Sequence, residues 1–437
     1  MSTAAVTTAA VLAAIVIGGC GSANAHGHRS VADTAGASAP RTVAPDPATT
    51  MPGLARLRGV LNRELSLAGP GSSAAVYDLT AHAPLFALRD GVKLPPASIE
   101  KLYTSIALLH DLGPNARLHT AVLGDGHLGA DGVWHGDLYL RGGGDPTYGD
   151  GTFSRLYEGG YGSTAAQLVQ QLRGDGIRAV TGTVIGDESR FDSRRGGAAT
   201  GYAPDIPDYG GQLSALTYDH GTALGRLTPA AFAAKQLVRT LRASGITATA
   251  SRDRGVTPPG ARELAIVSSP PLSVLLKLMN VPSDDLFAEL LTKQLGAKTG
   301  DGTLAAGAAV IARTIAGSYD LHPIIRDGSG LLRSDRSSVR EVLDLLRDVW
   351  HTRFGDLLSA SLPIVGLTGT VRTIALATPA QGRCSAKTGT LNGVTNLAGY
   401  CTGRGRHMLA FALFDDGLPE QRALALEGRM IAAVASY

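Results

Sequence analysis

The sequence has few aromatic residues, a nearly balanced charge and no hydrophobic run long enough to span a membrane. Of its 437 residues, 5% are aromatic, and 40 lysines and arginines stand against 37 aspartates and glutamates, a net charge of +3. Nucleic-acid-binding surfaces need clustered positive charge and aromatic stacking platforms, so this composition argues against a nucleic-acid partner. Hydrophobic residues make up 44% and charged residues 18% of the chain, which is typical of a globular protein. The length allows two domains, or one domain with a large insertion.

The most hydrophobic early stretch, residues 9–19, ends just before Cys20. It is too short to cross a bilayer and fits the hydrophobic part of a secretory signal, although no lysine or arginine precedes it. The residues that end at Cys20 resemble a bacterial lipoprotein cleavage motif, with Cys20 as the lipidated residue. The alternative is a plain signal peptide cleaved near Ala23 or Ala25. Both interpretations predict an exported protein, and we assign the signal to residues 1–21.

Residues 22–52 are rich in Ala, Thr, Ser and Pro and are predicted to form a flexible linker. Any membrane contact would then be made through an N-terminal anchor. After the linker, helical signals alternate with a strand pair, and from about residue 118 the pattern changes to short strands and glycine turns. We therefore predict an α/β domain at 118–263, inserted into a domain made of 53–117 and 264–437. Periodicity predicts helices at 54–67, 163–172, 229–243, 273–279, 284–295, 340–350 and 418–435, and strands at 74–79 and 84–88.

A serine and a lysine stand three residues apart where a buried amphipathic helix is predicted to begin. Two prolines precede Ser98, and Lys101 follows it on the same helix face. A serine hydroxyl is a poor nucleophile unless a base takes its proton. A lysine amine can be that base if burial or a nearby cation keeps it neutral. Taken alone, the pair favours a helix-capping serine followed by an ordinary lysine, because Ser-x-x-Lys often arises by chance.

A second candidate is the run Ser283, Asp284, Asp285, which precedes another predicted helix. The structural interpretation is a serine N-cap followed by two acids in the first turn. The functional interpretation is a second hydroxyl close to Ser98 and Lys101.

The third candidate is Lys387, followed by Thr388, Gly389 and Thr390. An Asn-Gly pair at 392–393 is a hairpin signal and predicts that the lysine lies on an antiparallel strand. A glycine in such a strand allows a close approach to the backbone.

The chain contains a second Lys-Thr-Gly triplet, which begins at Lys298. It lies in a turn-rich segment after a predicted helix and has no strand around it. We interpret it as a chance match.

The order Ser-x-x-Lys, Ser-x-Asn, Lys-Thr-Gly is the signature of penicillin-binding proteins and active-site serine β-lactamases. The first and third motifs are complete at Ser98 and Lys387, whereas the second reads Ser-x-Asp at 283–285. With these motifs, roughly residues 54–437 resemble the DacB-type D-alanyl-D-alanine carboxypeptidase/endopeptidase family, the penicillin-binding protein 4 type. The interval of 185 positions from Ser98 to Ser283 fits that family, because β-lactamases have a much shorter interval. Further segments that resemble this family are 136–146, 186–192, 269–272, 327–331 and 386–399.

The resemblance implies an α/β (α+β) fold of the penicillin-binding/β-lactamase-like transpeptidase type, an antiparallel sheet flanked by helices with a large inserted domain. It implies an acyl-enzyme on Ser98, with Lys101 as the base and Ser283 as a proton relay to the leaving amine. The implied substrates are peptidoglycan stem peptides, and β-lactam antibiotics are implied as covalent inhibitors. No metal or cofactor is implied.

The resemblance also implies how the substrate is held. Lys387 would bind its terminal carboxylate and, as a second cation, keep Lys101 neutral. The backbone N–H groups of Ser98 and Thr390 would form the oxyanion hole. The substrate-binding residues implied in this way are Asp285, Lys387, Thr388, Gly389 and Thr390.

Asp285 stands where the family pattern has an amide. An ionised carboxylate only accepts hydrogen bonds and, near Lys101, would favour the charged ammonium over the base form. Two ways around this effect are a protonated Asp285 or an Asp285 turned away from the site. This departure supports one alternative function, a non-catalytic wall-binding protein. The other alternative is a β-lactamase or esterase on the same scaffold.

The hairpin register predicts a disulfide. In a two-residue hairpin centred on 392–393, Cys384 lies directly opposite Cys401. Export makes oxidation possible, and the third cysteine, Cys20, belongs to the signal region. The alternative is a pair of small buried thiols.

Overall fold

The computed structural model describes residues 51–196, 211–221 and 225–437. The predicted signal and the possible lipidation site at Cys20 lie outside these residues, as does nearly all of the predicted linker. Within the described ranges, no helix has both the length and the hydrophobicity needed to cross a membrane.

The first sheet is antiparallel, with five strands in the order β2-β1-β10-β9-β8. Both ends of the chain contribute to it, because β1 near the start pairs with β10 near the end. The tight turn at 392–393 joins β8 and β9 as predicted. The strands are β1 Ser72–Asp78, β2 Ala83–Leu88, β8 Cys384–Leu391, β9 Val394–Thr402 and β10 Met408–Asp416.

Both faces of this sheet are buried. Successive side chains of a strand point to opposite faces, so Ala74 and Val76 of β1 enter one hydrophobic core while Ala75 enters another. The first core lies under two helices from the ends of the chain, α1 Met51–Ala68 and α11 Glu420–Ala435. The second lies under the remaining helices of this part of the protein: α2 Glu100–Asp111, α6 Leu272–Asn280, α7 Asp285–Lys298, α8 Leu304–Tyr319, α9 Val339–Trp350 and α10 Gly355–Ser361.

The second sheet is mixed, in the order β6-β5-β4-β3-β7. The pairs β4–β5 and β5–β6 are parallel because a helix crosses over between their strands, α4 in the first case and α5 in the second. This sheet has its own hydrophobic core, and its last strand continues to Ser268. Its elements are β3 His119–Leu128, β4 Val133–Gly142, α3 Gly151–Tyr157, α4 Ala165–Gly174, β5 Ala179–Asp187, α5 Pro229–Ala243, β6 Thr247–Arg254 and β7 Arg262–Ser268.

The helices and strands predicted from periodicity are confirmed, but the short helices α3 and α10 and the longer α8 were not predicted. The two glycines of α8, Gly307 and Gly317, lower the local helix propensity. Gly307 has a packing reason, because a Cβ there would lie 2.0 Å from the carbonyl oxygen of Thr292 on α7. The glycine that weakens the sequence signal is the one that lets the two helices pack closely.

Candidate active site

Ser98 lies in a 3₁₀ turn, Ala97–Ile99, which leads directly into α2. Lys101 is in the first turn of α2 and is fully buried. Its Nζ lies 3.0 Å from the Ser98 Oγ, so the predicted nucleophile and the predicted base are in contact. A lysine held against a serine hydroxyl within one helical turn has the geometry needed for proton abstraction.

The turn that carries Ser98 is enclosed by two glycines. A Cβ at Gly330 would lie 1.8 Å from the carbonyl oxygen of Ala97, and a Cβ at Gly389 would lie 2.5 Å from that of Pro96. Ala97 itself has a positive φ of 48°, which is uncommon for a residue with a side chain. The close approach predicted at Gly389 is therefore made by the turn before the nucleophile.

Ser283 lies just outside α7, and its hydroxyl oxygen accepts a hydrogen bond of 2.7 Å from Lys387 Nζ. The N-cap of α7 is Asp284, whose carboxylate accepts from the Phe287 N–H at 2.8 Å. The structural interpretation of Ser283 as a helix cap is therefore wrong. Ser283 has a positive φ of 67°, and its hydroxyl faces the buried amine of Lys387.

Lys387 lies on β8, as predicted, and is fully buried. Besides Ser283, its amine donates to the Thr388 carbonyl oxygen at 2.9 Å. Burial lowers the pKa of Lys387 well below its usual value, the nearby Lys101 lowers it further, and Asp285 opposes both. Lys101 therefore lies close enough to disfavour the charged form of Lys387.

The two threonines that follow Lys387 on β8, Thr388 and Thr390, differ in burial and in their contacts. The Thr388 hydroxyl donates to the Thr370 hydroxyl oxygen at 2.8 Å. Thr390 is exposed near the end of β8 and pairs with Thr395 of β9. Strand β8 thus runs from the buried Lys387 to a solvent-exposed end at Thr390.

Asp285 contacts Lys101 directly, at 2.6 Å between Oδ1 and Nζ. Its side chain is 13% exposed, whereas that of Lys101 is completely buried. Burial raises the pKa of Asp285, and the Lys101 ammonium opposes this shift. Asp285 could avoid stabilising the Lys101 ammonium if it were protonated or turned away from the site. The second of these does not occur, because the side chain contacts Lys101.

Three acceptors surround the Lys101 amine: Ser98 Oγ, Asp285 Oδ1 and, at 2.9 Å, the carbonyl oxygen of Ser329. An ammonium group has three N–H donors and no acceptor. This arrangement satisfies the protonated form of Lys101. A neutral amine would donate to Asp285 and to the Ser329 carbonyl oxygen and would accept from the Ser98 hydroxyl.

Sequence reasoning gave no role to Ser329, although it lies in one of the segments that carry the family resemblance. Its carbonyl group reaches Lys101 from a loop more than 200 residues away along the chain, so only the fold reveals the contact. The Lys-Thr-Gly triplet that begins at Lys298 lies at the end of a helix and outside the strands, as the sequence indicated. Lys298 is exposed at the last residue of α7, where its amine contacts the Asp111 carbonyl oxygen.

The predicted disulfide between Cys384 and Cys401 is confirmed. The two residues are directly opposed in the β8–β9 register, with Cα atoms 4.0 Å apart. The bridge lies at the end of the hairpin opposite the 392–393 turn. Because the closed loop is short, it stabilises the fold by about 3 kcal/mol at most.

The sequence pattern of the D-Ala-D-Ala carboxypeptidase 3 (S13) family matches residues 57–230 and 211–436. The chain belongs to this family. The predicted family and enzyme class, a serine-type peptidase that acts on peptidoglycan, are therefore confirmed.

Curated relatives span most of the chain. A D-alanyl-D-alanine carboxypeptidase of Actinomadura sp. (strain R39) is 27% identical, over 85% of this chain and 82% of its own length. The carboxypeptidase DacB of Mycolicibacterium smegmatis is 30% identical, over 85% of each chain.

A solved structure supports the fold. Penicillin-binding protein 4 (dacB) of Haemophilus influenzae superposes with a TM-score of 0.71 at 20% identity, covering 86% of this chain and 99% of its own. The same protein complexed with a β-lactam superposes with a TM-score of 0.68 at 19% identity. The predicted fold class, an α/β (α+β) penicillin-binding fold, is confirmed.

Proposed function

We propose that Ser98 attacks the carbonyl carbon of the bond between two terminal D-alanines of a peptidoglycan stem peptide. Lys101 takes the hydroxyl proton as the ester forms, and Ser283 passes a proton to the leaving amine of the last D-alanine. Water then hydrolyses the ester and restores the serine. The observation that carries this proposal is the contact of Lys101 with Ser98 beside a second hydroxyl, Ser283, held by a second lysine.

Lys387 holds the terminal carboxylate of the substrate in this proposal. Within the described ranges, no ion pair forms at its amine, which contacts a hydroxyl and a carbonyl oxygen. A buried cation without an anionic partner is costly, and a substrate carboxylate would supply that partner. The same carboxylate would favour the charged form of Lys387.

Four further residues line the substrate on the β8 side and beside Lys101: Asp285, Thr388, Gly389 and Thr390. The N–H groups of Ser98 and Thr390 hold the developing oxyanion, each worth about 3–4 kcal/mol in comparable sites. The enclosure of the Ser98 turn against Gly389 supports this assignment, because it keeps the two backbone segments at a defined separation.

We also propose that residues 118–263 form a domain inserted into the catalytic part. The separate sheet and core of this region support the proposal. Export through residues 1–21, a linker at 22–52 and lipidation at Cys20 or cleavage near Ala23 or Ala25 belong to the same proposal. An exported enzyme reaches peptidoglycan, and the oxidised cysteine pair is consistent with that compartment.

Labelled penicillin, followed by peptide mapping, tests the catalytic proposal. We expect one stable adduct, on Ser98, and none in Ser98→Ala. An adduct on another serine would contradict the assignment of the nucleophile. Rapid release of hydrolysed penicillin would indicate a β-lactamase, and no adduct at any pH would indicate a non-catalytic wall-binding protein.

Release of D-alanine from a synthetic stem peptide is measured in parallel with the adduct. Cleavage of a cross-linked dimer is scored separately from removal of the terminal residue, because the two reactions share the acyl-enzyme but differ in the leaving amine.

A further inference from the structure

The loop at 327–330 is wedged between the two helices that carry the catalytic motifs. The Thr104 hydroxyl on α2 donates to the Gly328 carbonyl oxygen at 2.8 Å. A Cβ at Gly328 would lie 1.7 Å from Thr292 Oγ1 on α7, and Gly330 packs against the carbonyl of Ala97. The loop therefore has little freedom to move independently of α2 and α7.

Ser329, in this loop, connects the Lys101 amine to Glu289. Its carbonyl oxygen accepts from Lys101, and its hydroxyl donates to Glu289 Oε1. Glu289 lies one helical turn after Asp285 on α7, so both face α2. One face of α7 thus reaches Lys101 twice, directly through Asp285 and indirectly through Glu289 and Ser329.

Glu289 belongs to a buried cluster of carboxyl groups. Asp327 has both oxygens satisfied by backbone N–H groups of its own loop, at 2.6 to 3.1 Å. Within the described residues, by contrast, Glu289 Oε2 and both carboxyl oxygens of Glu100 are buried without a hydrogen-bond partner. Oxygens in that situation are costly to ionise, so these two glutamates are suited to the neutral form.

Burial and the neighbouring charge of Asp327 raise the pKa of Glu289 to about 8. The same two causes raise the pKa of Asp335 to about 9. Burial raises the pKa of Glu100 well above its usual value. The charged and titratable groups that face Glu289 are Lys101 and Glu100 on α2, Asp285 and Lys293 on α7, and Asp327 and Asp335 on the loop.

We propose that Glu289 is a positioning residue for Lys101, and that it works in its neutral form. As an uncharged acceptor it fixes the Ser329 hydroxyl, and so the carbonyl that receives the Lys101 amine, without adding a charge behind the base. Once ionised, it places a second carboxylate near Lys101, in addition to Asp285, and favours the ammonium that cannot act as a base. This inference rests on the proposed roles of Ser98 and Lys101.

Two substitutions separate the hydrogen bond from the charge. Glu289→Gln keeps a neutral acceptor and cannot ionise, whereas Glu289→Leu removes the acceptor. Glu427→Leu is a matched control, because Glu427 is also fully buried and its carboxyl oxygens have no hydrogen-bond partner in the described part of the chain, but it lies on α11 on the other side of the sheet. The measurement is the rate of penicillin acylation at Ser98 from roughly pH 6 to 9.5, with the non-covalent affinity determined separately.

At pH 7 we expect Glu289→Gln to acylate within about threefold of the unsubstituted protein, and Glu289→Leu to be slower by about tenfold or more. Non-covalent affinity stays the same, and Glu427→Leu leaves the rate unchanged. Above pH 8 only the unsubstituted protein gains a charge at position 289. Near pH 9.5, Glu289→Gln should therefore be acylated about tenfold faster than the unsubstituted protein.

The inference is overturned if Glu289→Leu acylates as fast as the unsubstituted protein, or if the pH profiles of Glu289→Gln and the unsubstituted protein coincide. Equal losses in the Gln and Leu variants would also overturn it, because they would indicate packing and not the acceptor. If Glu289→Leu does not fold, the pH comparison with Glu289→Gln decides alone. If the unsubstituted protein forms no adduct on Ser98, the proposed function fails first and this inference with it.

Discussion

Lys387 and Lys298 each begin a Lys-Thr-Gly triplet, yet the fold uses them in opposite ways. Lys387 is buried on a strand and donates to Ser283, whereas Lys298 is exposed at the end of a helix beside the Asp111 carbonyl. The three letters are identical, so the difference lies in the structure around them. A motif of this kind identifies a site only together with the strand that presents it.

The glycines of the two triplets differ in the same sense. Gly389 allows contact with the chain before Ser98, because a Cβ there would meet the Pro96 carbonyl oxygen. Gly300 has open space around it but a positive φ of 98°, which ends the helix. One glycine is required by a neighbouring segment and the other by its own backbone conformation.

Substitution of the first residue of each triplet should give the greatest difference in the acylation of Ser98. Lys387→Ala removes the buried cation that faces Ser283 and the proposed substrate carboxylate, so we expect penicillin acylation of Ser98 to fall by about 100-fold. Lys298→Ala should leave the rate unchanged. The measurement is the second-order acylation rate of both variants, and the reverse pattern would show that Lys298 belongs to the functional triplet.

Substitution of the triplet glycines, Gly389 and Gly300, should separate an effect on activity from an effect on stability. Gly389→Ala forces the Ser98 turn away from β8, and overpacking of this kind costs about 1–3 kcal/mol. We expect acylation to slow by about 5- to 100-fold. Gly300→Ala should instead lower the melting temperature by a few degrees, because it strains a backbone with positive φ at a cost of about 1 kcal/mol.

Acylation rates and thermal melting of both glycine variants check this pair. A normal rate in Gly389→Ala would mean that the close approach to Pro96 has no part in placing Ser98.

Lys101 is a third lysine to compare, because its amine contacts a carboxylate. Asp285→Asn removes the carboxylate 2.6 Å from its amine, so the ammonium form loses its ion-pair partner and the base form becomes more available. We expect acylation near neutral pH to become about tenfold faster, which corresponds to 1.4 kcal/mol, and the pH–rate profile to move to lower pH.

Acylation is followed from roughly pH 6 to 9, with Asp284→Asn as the control on the adjacent N-cap, where we expect a smaller shift of the profile because the Asp284 carboxylate accepts from the Phe287 N–H. If Asp285→Asn acylates no faster at any pH in this span, Asp285 does not restrain Lys101.

Much of the site could be predicted because its parts are local. The spacing of Ser98 and Lys101 places them on one helix face, and the 392–393 turn sets a register that opposes Cys384 and Cys401. The same locality explains the confirmed helices and strands. The α8 helix was missed because its two glycines lower the local helix propensity, and the packing of Gly307 against α7, which requires one of them, is recorded by no local pattern.

The groups of the site and their order can be read along the chain: a nucleophile, a base, a second hydroxyl and a second lysine on a hairpin strand. Local periodicity and turn chemistry act over a few residues, so they are visible in the sequence. The contact of Asp285 with Lys101 and the link from Lys101 through Ser329 to Glu289 arise only in the folded chain. These contacts join residues far apart in sequence, and the protonation of Glu289 depends on how completely the packed helices exclude water from its carboxyl group.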